Sequence, residues 1–300
     1  MTVAQSGPGP ATSPRFASLV SMICGCILVG SASTFIKLAG TSAATAAFYR
    51  CLLALIPLAV LFCLELRRHG RMSWPAVVWS LLSGAFLACD YLMWTQSVLD
   101  VGAAVATVLI GSQVLVFPLL ARVLDGAVLR RRFALVLPVM LAGLLLTGGL
   151  GSRETTMPHP VRGTVLSVLA GCLYAGYLYC NRRAGTLEPR RAFGPVALGS
   201  ASAAVVIGVF GLGTGSIVVH LSASAWSWLA VLAVGGQFLP FVLIGFATVR
   251  LPADLGATIL LLQPLSAVVL GSLVLGERLS WLQLVGIGVT VACVAVQSKR

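Results

Sequence analysis

Apolar runs of about 20 residues follow one another along the whole chain, separated by short stretches of charged and turn-forming residues. A helix of about 20 apolar residues covers the roughly 30 Å hydrocarbon core of a bilayer. The breaks predict ten spans, at about 17–38, 43–65, 75–98, 101–122, 133–150, 163–181, 193–216, 225–248, 254–274 and 281–297. Each run is apolar all round, without the alternation of polar and apolar residues that a barrel strand requires. The β-branched residues between Val101 and Val116 do not argue against helix, because in lipid only a helix satisfies its own backbone locally. The pattern predicts an all-α polytopic membrane protein of ten transmembrane helices.

Composition agrees. Of 300 residues 58% are hydrophobic and 9% are charged, too few polar groups to cover a soluble domain. The formal charge of +12 would suggest a nucleic-acid partner if the basic residues formed one patch. They follow the spans instead. With the N-terminus inside, Arg15, Arg67, Arg68, Arg71, Arg122, Arg130, Arg131, Arg132, Arg182, Arg183, Arg190, Arg191, Arg250, Lys299 and Arg300 all fall on one side. The other side holds Lys37, Arg153, Arg162 and Arg278, and Arg50 lies within a span. By the positive-inside rule both termini are cytoplasmic, and no nucleic acid is expected.

Residues 1–14, rich in Pro, Ser, Gly and Ala, read as a disordered cytoplasmic tail. They lack the basic n-region of a signal peptide, so the first helix is expected to be retained. The eight cysteines form no spaced ligand set with histidine, and neither zinc nor disulfides are expected. His69, His159 and His220 all fall in loops, which leaves no deep histidine for catalysis; no enzyme and no cofactor is expected.

The second half echoes the first. At a shift of 146, Gly25-Cys26, Gly30 and Lys37 fall on Gly171-Cys172, Gly176 and Arg183. At a shift of 150, Gln113 falls on Gln263, Gly126 on Gly276 and Leu129 on Leu279. Five spans per half force opposite orientations, so the expected organisation is two inverted five-helix repeats, 15–150 and 163–300, joined by an external linker 151–162. Inverted repeats are a common build of secondary transporters, with the substrate near the midplane.

Ten spans in two five-helix repeats, Gln263-Pro264 within the ninth, and Leu275-Gly276-Glu277-Arg278-Leu279-Ser280 after it resemble the EamA family of the drug/metabolite transporter superfamily. Tyr49-Arg50 and the stretch Asp90 to Gln113 are also similar to that family. Gly126-Ala127-Val128 departs from it, where the family often has Gly-Glu-Arg. The resemblance implies export of small metabolites, amino acids or toxic compounds across a bacterial inner membrane.

Ionisable groups at membrane depth are costly and mark functional sites. Arg50 lies about 10 Å and Asp90 about 12 Å below the outer boundary on consecutive antiparallel spans, at 1.5 Å per residue. Their equal depth predicts an ion pair, either a static pin between two helices or an anchor for a zwitterionic substrate or a coupling proton. The corresponding second-half positions, Ser200 and Pro240, carry no charge. Trp94 follows Asp90 on the same face. Tyr174 and Tyr177 begin a polar–aromatic stripe on the sixth span, and Gln113, Gln237 and Gln263 lie about midplane. These eight residues form the candidate substrate or coupling site. The expected activity is alternating-access export of amino acids or amino-acid-derived compounds, by a monomer or homodimer, with protons as a candidate coupling ion. The alternatives are efflux of hydrophobic cations over Trp94 and Tyr174, and a membrane scaffold that transports nothing.

Overall fold

The computed structural model describes residues 14–126, 136, 138–139, 142–143, 146, 158–251, 256, 259–260, 262–277 and 279–298. The expected tail 1–14, apart from Pro14, most of the fifth span 133–150 and most of the linker 151–162 lie outside the described residues. Within them the chain is helical, with no strand. The helices are α1 Pro14–Ala39, α2 Ala43–His69, α3 Trp74–Val101, α4 Ala103–Leu109, α5 Gln113–Asp125, α6 Pro160–Leu187, α7 Gly194–Thr214, α8 Ala223–Ala233, α9 Leu239–Arg250, α10 Leu262–Leu275 and α11 Trp281–Ser298.

Seven stretches are long and apolar enough to cross a membrane among the described residues: Phe16–Ala39, Ala43–His69, Trp74–Val101, Ala103–Asp125, Pro160–Leu187, Gly194–Thr214 and Ala223–Arg250. They coincide with the first four and the sixth to eighth expected spans. Two are built from shorter pieces. A single 3₁₀ turn, Ile110–Ser112, joins α4 to α5, and a π-helical turn, Val234–Phe238, joins α8 to α9. α10 and α11 are shorter apolar helices at the expected ninth and tenth positions.

Local chemistry sets the breaks. Ser42 and Ser222 cap α2 and α8 by accepting the N–H groups of Thr45 and Ala225. α5 is followed by Gly126 at φ 66° and α10 by Gly276 at φ 65°, a left-handed conformation that only glycine adopts without strain. These are positions related by the shift of 150.

Packing depends on small residues. A Cβ on Gly84 of α3 would stand 2.2 Å from the Gly199 carbonyl oxygen of α7, so α3 cannot carry a larger residue there. The glycines toward the end of α7 differ in their surroundings. Gly208 and Gly211 meet Phe48 and Ile217, whereas Gly213 and Gly215 meet nothing, and Gly215 terminates the helix at φ 64°.

Charged contacts gather at the two ends of the bundle. At the arginine-rich end, Glu65 of α2 accepts the N–H groups of Ala192, Phe193 and Gly194, capping α7 at 2.7–3.0 Å. Arg191 reciprocates: its Nη2 donates to the carbonyls of His69, Gly70 and Arg71 at the end of α2. At the opposite end Asp100 of α3 accepts two bonds from Arg162 of α6, at 2.7 and 2.8 Å.

Candidate functional site

All eight residues singled out from the sequence are at most 4% exposed. Arg50 on α2 and Asp90 on α3 are each 1% exposed. The expected ion pair between them is not formed. Instead the Arg50 guanidinium carbon lies 3.8 Å from the centre of the Tyr91 ring, and Nη2 donates to the Gly236 carbonyl at 2.7 Å. Equal depth sets the height of two side chains and leaves their rotation about the helix axes free, and a planar guanidinium stacks well on an aromatic face. Asp90 stays within electrostatic range of Arg50. Arg50 Nε and Nη1 and Asp90 Oδ1 are buried without a hydrogen-bond partner among the described residues.

The carbonyl that Arg50 takes is released by the sequence itself. In an α-helix the Gly236 oxygen would accept from the N–H four residues on, and that residue is Pro240, which has none. The π turn at Val234–Phe238 widens the helix at the same point. Pro240 therefore frees the carbonyl that holds the buried arginine.

Tyr91 ties this centre to the other half of the chain. Its hydroxyl donates to Gln237 Oε1, and Gln237 Nε2 donates to Ser200 Oγ at 3.0 Å. Ser200 and Pro240, the uncharged counterparts of Arg50 and Asp90, thus both serve the cluster around the first-half charges. Trp94 completes this side, its ring 5.8 Å from the guanidinium carbon and its indole Nε1 unpartnered.

A second group adjoins the first. Gln113 at the start of α5 donates from Nε2 to Gln263 Oε1 of α10 at 3.4 Å, leaving Gln113 Oε1 and Gln263 Nε2 without partners. Tyr174 and Tyr177 of α6 stack at 5.4 Å, and Phe241 of α9 meets both rings as well as Tyr91. The Tyr174 hydroxyl is buried and unpartnered. One interior cluster thus presents free N–H donors, a free carboxylate oxygen, free amide groups and five aromatic rings. Among the described residues no group of three metal-ligating side chains occurs.

Tyr91, Gly236, Phe241 and Ser200 were not legible as site residues. Tyr91 adjoins Asp90 in sequence, but an adjacent residue points about 100° away on a helix, and only the position of α2 shows which side matters.

Two ion pairs flank the cluster from opposite ends. Lys37, at the end of α1, donates to Glu277 Oε1 at 2.6 Å, and the same carboxylate accepts the N–H groups of Ala103 and Ala104 at 2.9 and 3.0 Å. Burial raises the Glu277 carboxyl's affinity for protons, but these three donors outweigh it and hold the group below the usual glutamate range. At the arginine-rich end Arg183 of α6 pairs with Asp125 at 2.7 Å, and the Tyr179 hydroxyl donates to the same oxygen at 2.8 Å.

Comparison with known proteins gives this interior a context. Residues 161–298 match the model of the EamA-like transporter family. An uncharacterized transporter, YwfM of Bacillus subtilis (strain 168), is 26% identical over 238 residues, 76% of each chain. The threonine/homoserine exporter RhtA of Escherichia coli (strain K12) is 30% identical over 137 residues, 43% of each chain, so the chain spans less than half of that exporter. A solved crystal structure superposes with a TM-score of 0.68 at 17% identity, covering 94% of this chain and 96% of the other, and so shares its fold. The protein is a multi-pass membrane protein. Over residues 161–298 it is similar to the EamA-like transporter family, whose members move small molecules across lipid membranes.

Proposed function

We propose that the protein is a secondary transporter that exports small metabolites, amino acids or amino-acid-derived compounds, by alternating access. The observation that carries this reading is the buried, unpartnered chemistry of the deep centre: Arg50 Nε and Nη1 beside Asp90 Oδ1. Leaving such groups unsatisfied costs about 1–3 kcal/mol each, more when charged, and a zwitterion repays it by giving its carboxylate to the arginine and its ammonium to the aspartate. The name of the relative RhtA supports the same substrate class. Asp90 is also the group proposed to exchange a proton during the cycle.

The architecture we infer is ten spans in two inverted five-helix repeats, in a bacterial inner membrane with both termini cytoplasmic. The pairing of Gln113 with Gln263 and the matching left-handed Gly126 and Gly276 support the repeat. The two end pairs support it further. Lys37 and Arg183 are related by the shift of 146, and each meets an acid beside the glycine that follows the fourth span of the other repeat. Opening one end while the other stays paired is what rocking repeats require.

Comparing the metabolites released by cells with and without the protein tests the proposal. An amino compound lost from the medium when the gene is deleted and restored by the wild-type gene is the expected result; unchanged release of every amino compound opposes it. The cluster of Tyr91, Tyr174, Tyr177 and Phe241 favours a second reading, efflux of a flat hydrophobic cation. Arg50 stands against it by charge, and dye extrusion by the same cells separates the two.

A further inference from the structure

A second site lies at the arginine-rich end, away from the deep centre. Arg68, His69, Glu188, Pro189, Arg190 and Arg191 line a pocket of about 450 Å³, within the size range of small-molecule sites. Its floor is held rigidly. Arg191 is 6% exposed; its Nη2 serves the three carbonyls at the end of α2, and its Nε donates to Glu188 Oε2 at 3.1 Å. Glu188 in turn accepts the Ser73 N–H at 2.8 Å. Burial works against ionisation of Glu188, but the Ser73 and Arg191 donors prevail and hold it below the usual glutamate range.

Two features remain unsatisfied. Arg191 Nη1 is buried with no acceptor among the described residues. The exposed Arg68 and Arg190, which line the same pocket, have no acid partner among the described residues, because the one carboxylate there is already committed to Arg191 and Ser73. A buried N–H donor, two free guanidinium groups and a rigid floor match the chemistry of a phosphate, whose oxygens accept in-plane bonds from several arginines at once.

We propose that this pocket binds a phosphate group, either the headgroup of an anionic phospholipid or a free phosphate. The lipid source rests on the orientation inferred above, which puts the pocket at the cytoplasmic leaflet, where anionic headgroups attract basic clusters. The phosphate site itself does not depend on what the deep centre transports.

Thermal unfolding of the full-length protein in neutral detergent tests it. Sodium phosphate is titrated against sodium chloride at equal ionic strength, and phosphatidylglycerol against phosphatidylcholine in mixed micelles. Stabilisation by phosphatidylglycerol alone supports a lipid site; stabilisation by both anions supports a general phosphate site. The Arg68→Gln/Arg190→Gln variant should need about tenfold or more of the anion for the same stabilisation, the loss expected for charge-assisted bonds from two guanidinium groups. A variant of equal charge, Arg67→Gln/Arg122→Gln, controls for bulk electrostatics and should bind as the wild type does. The proposal is overturned if neither anion stabilises the wild type beyond its neutral counterpart, or if the two variants lose binding equally. Should the first variant fail to purify, the wild-type comparison still decides.

Discussion

Gln113 donates its amide N–H to the carbonyl oxygen of Gln263 at 3.4 Å, across 150 residues of chain. Each side chain keeps one free polar atom, so the contact holds α5 to α10 and still leaves an acceptor and a donor for other groups. Replacing either glutamine by leucine strands its partner. Gln113→Leu and Gln263→Leu should each lower thermal stability, and the double variant should be less destabilised than the sum, with a coupling of about 0.6–2 kcal/mol. Unfolding of the four proteins in the same detergent measures it, and strict additivity would contradict a working contact.

Asp90→Asn keeps the shape of the side chain and removes its charge. Export should fall about tenfold or more, the loss expected when a charged hydrogen bond to the substrate becomes a neutral one, while the amount of protein in the membrane stays unchanged. Normal export by this variant removes Asp90 from both coupling and binding.

Pro240→Ala returns an N–H that competes with Arg50 for the Gly236 carbonyl. The helix should gain stability, since proline is disfavoured in a helix interior, while the arginine loses its anchor. Transport should therefore drop in a protein that melts no earlier than the wild type. A variant with lower stability and unchanged transport would show that the freed carbonyl is irrelevant.

Glu277 gives a pH signature. Its carboxyl is held below the usual glutamate range in the folded protein, so the unfolded chain takes up the proton first as pH falls. The stabilisation is complete above the unfolded value and is lost as pH drops through the folded one. Glu277→Gln should cost about 1–3 kcal/mol at neutral pH, and the gap from the wild type should close in acid below the glutamate range. A gap that does not change with pH would mean that the carboxylate charge contributes nothing to the contact with Lys37, Ala103 and Ala104.

The helices were legible because hydrocarbon imposes a length and a polarity that few sequences satisfy by accident. Seven expected crossings appear as helices of sufficient length and apolarity. Counting residues marked Arg50 and Asp90 as candidates, and both are buried inside the bundle. Their partners did not follow. Whether Arg50 faces Asp90 or Tyr91 depends on the rotation of α2 against α3, and the Gly236 carbonyl enters only because the π turn between α8 and α9 places it there. Nor did the roles of Glu277 and Arg191 follow, since both bind backbone groups, which every residue carries.

The two end pairs differ in when a growing chain can form them. Arg183 meets an aspartate made 58 residues earlier, so its contact can close as soon as α6 enters the bilayer. Lys37 must wait for Glu277, 240 residues later, about 12–48 s at ordinary rates of bacterial synthesis. Between the two closures lie only the 94 residues from Arg183 to Glu277, about 5–19 s of synthesis, in which the newborn protein holds the Arg183–Asp125 pair and still lacks Lys37–Glu277.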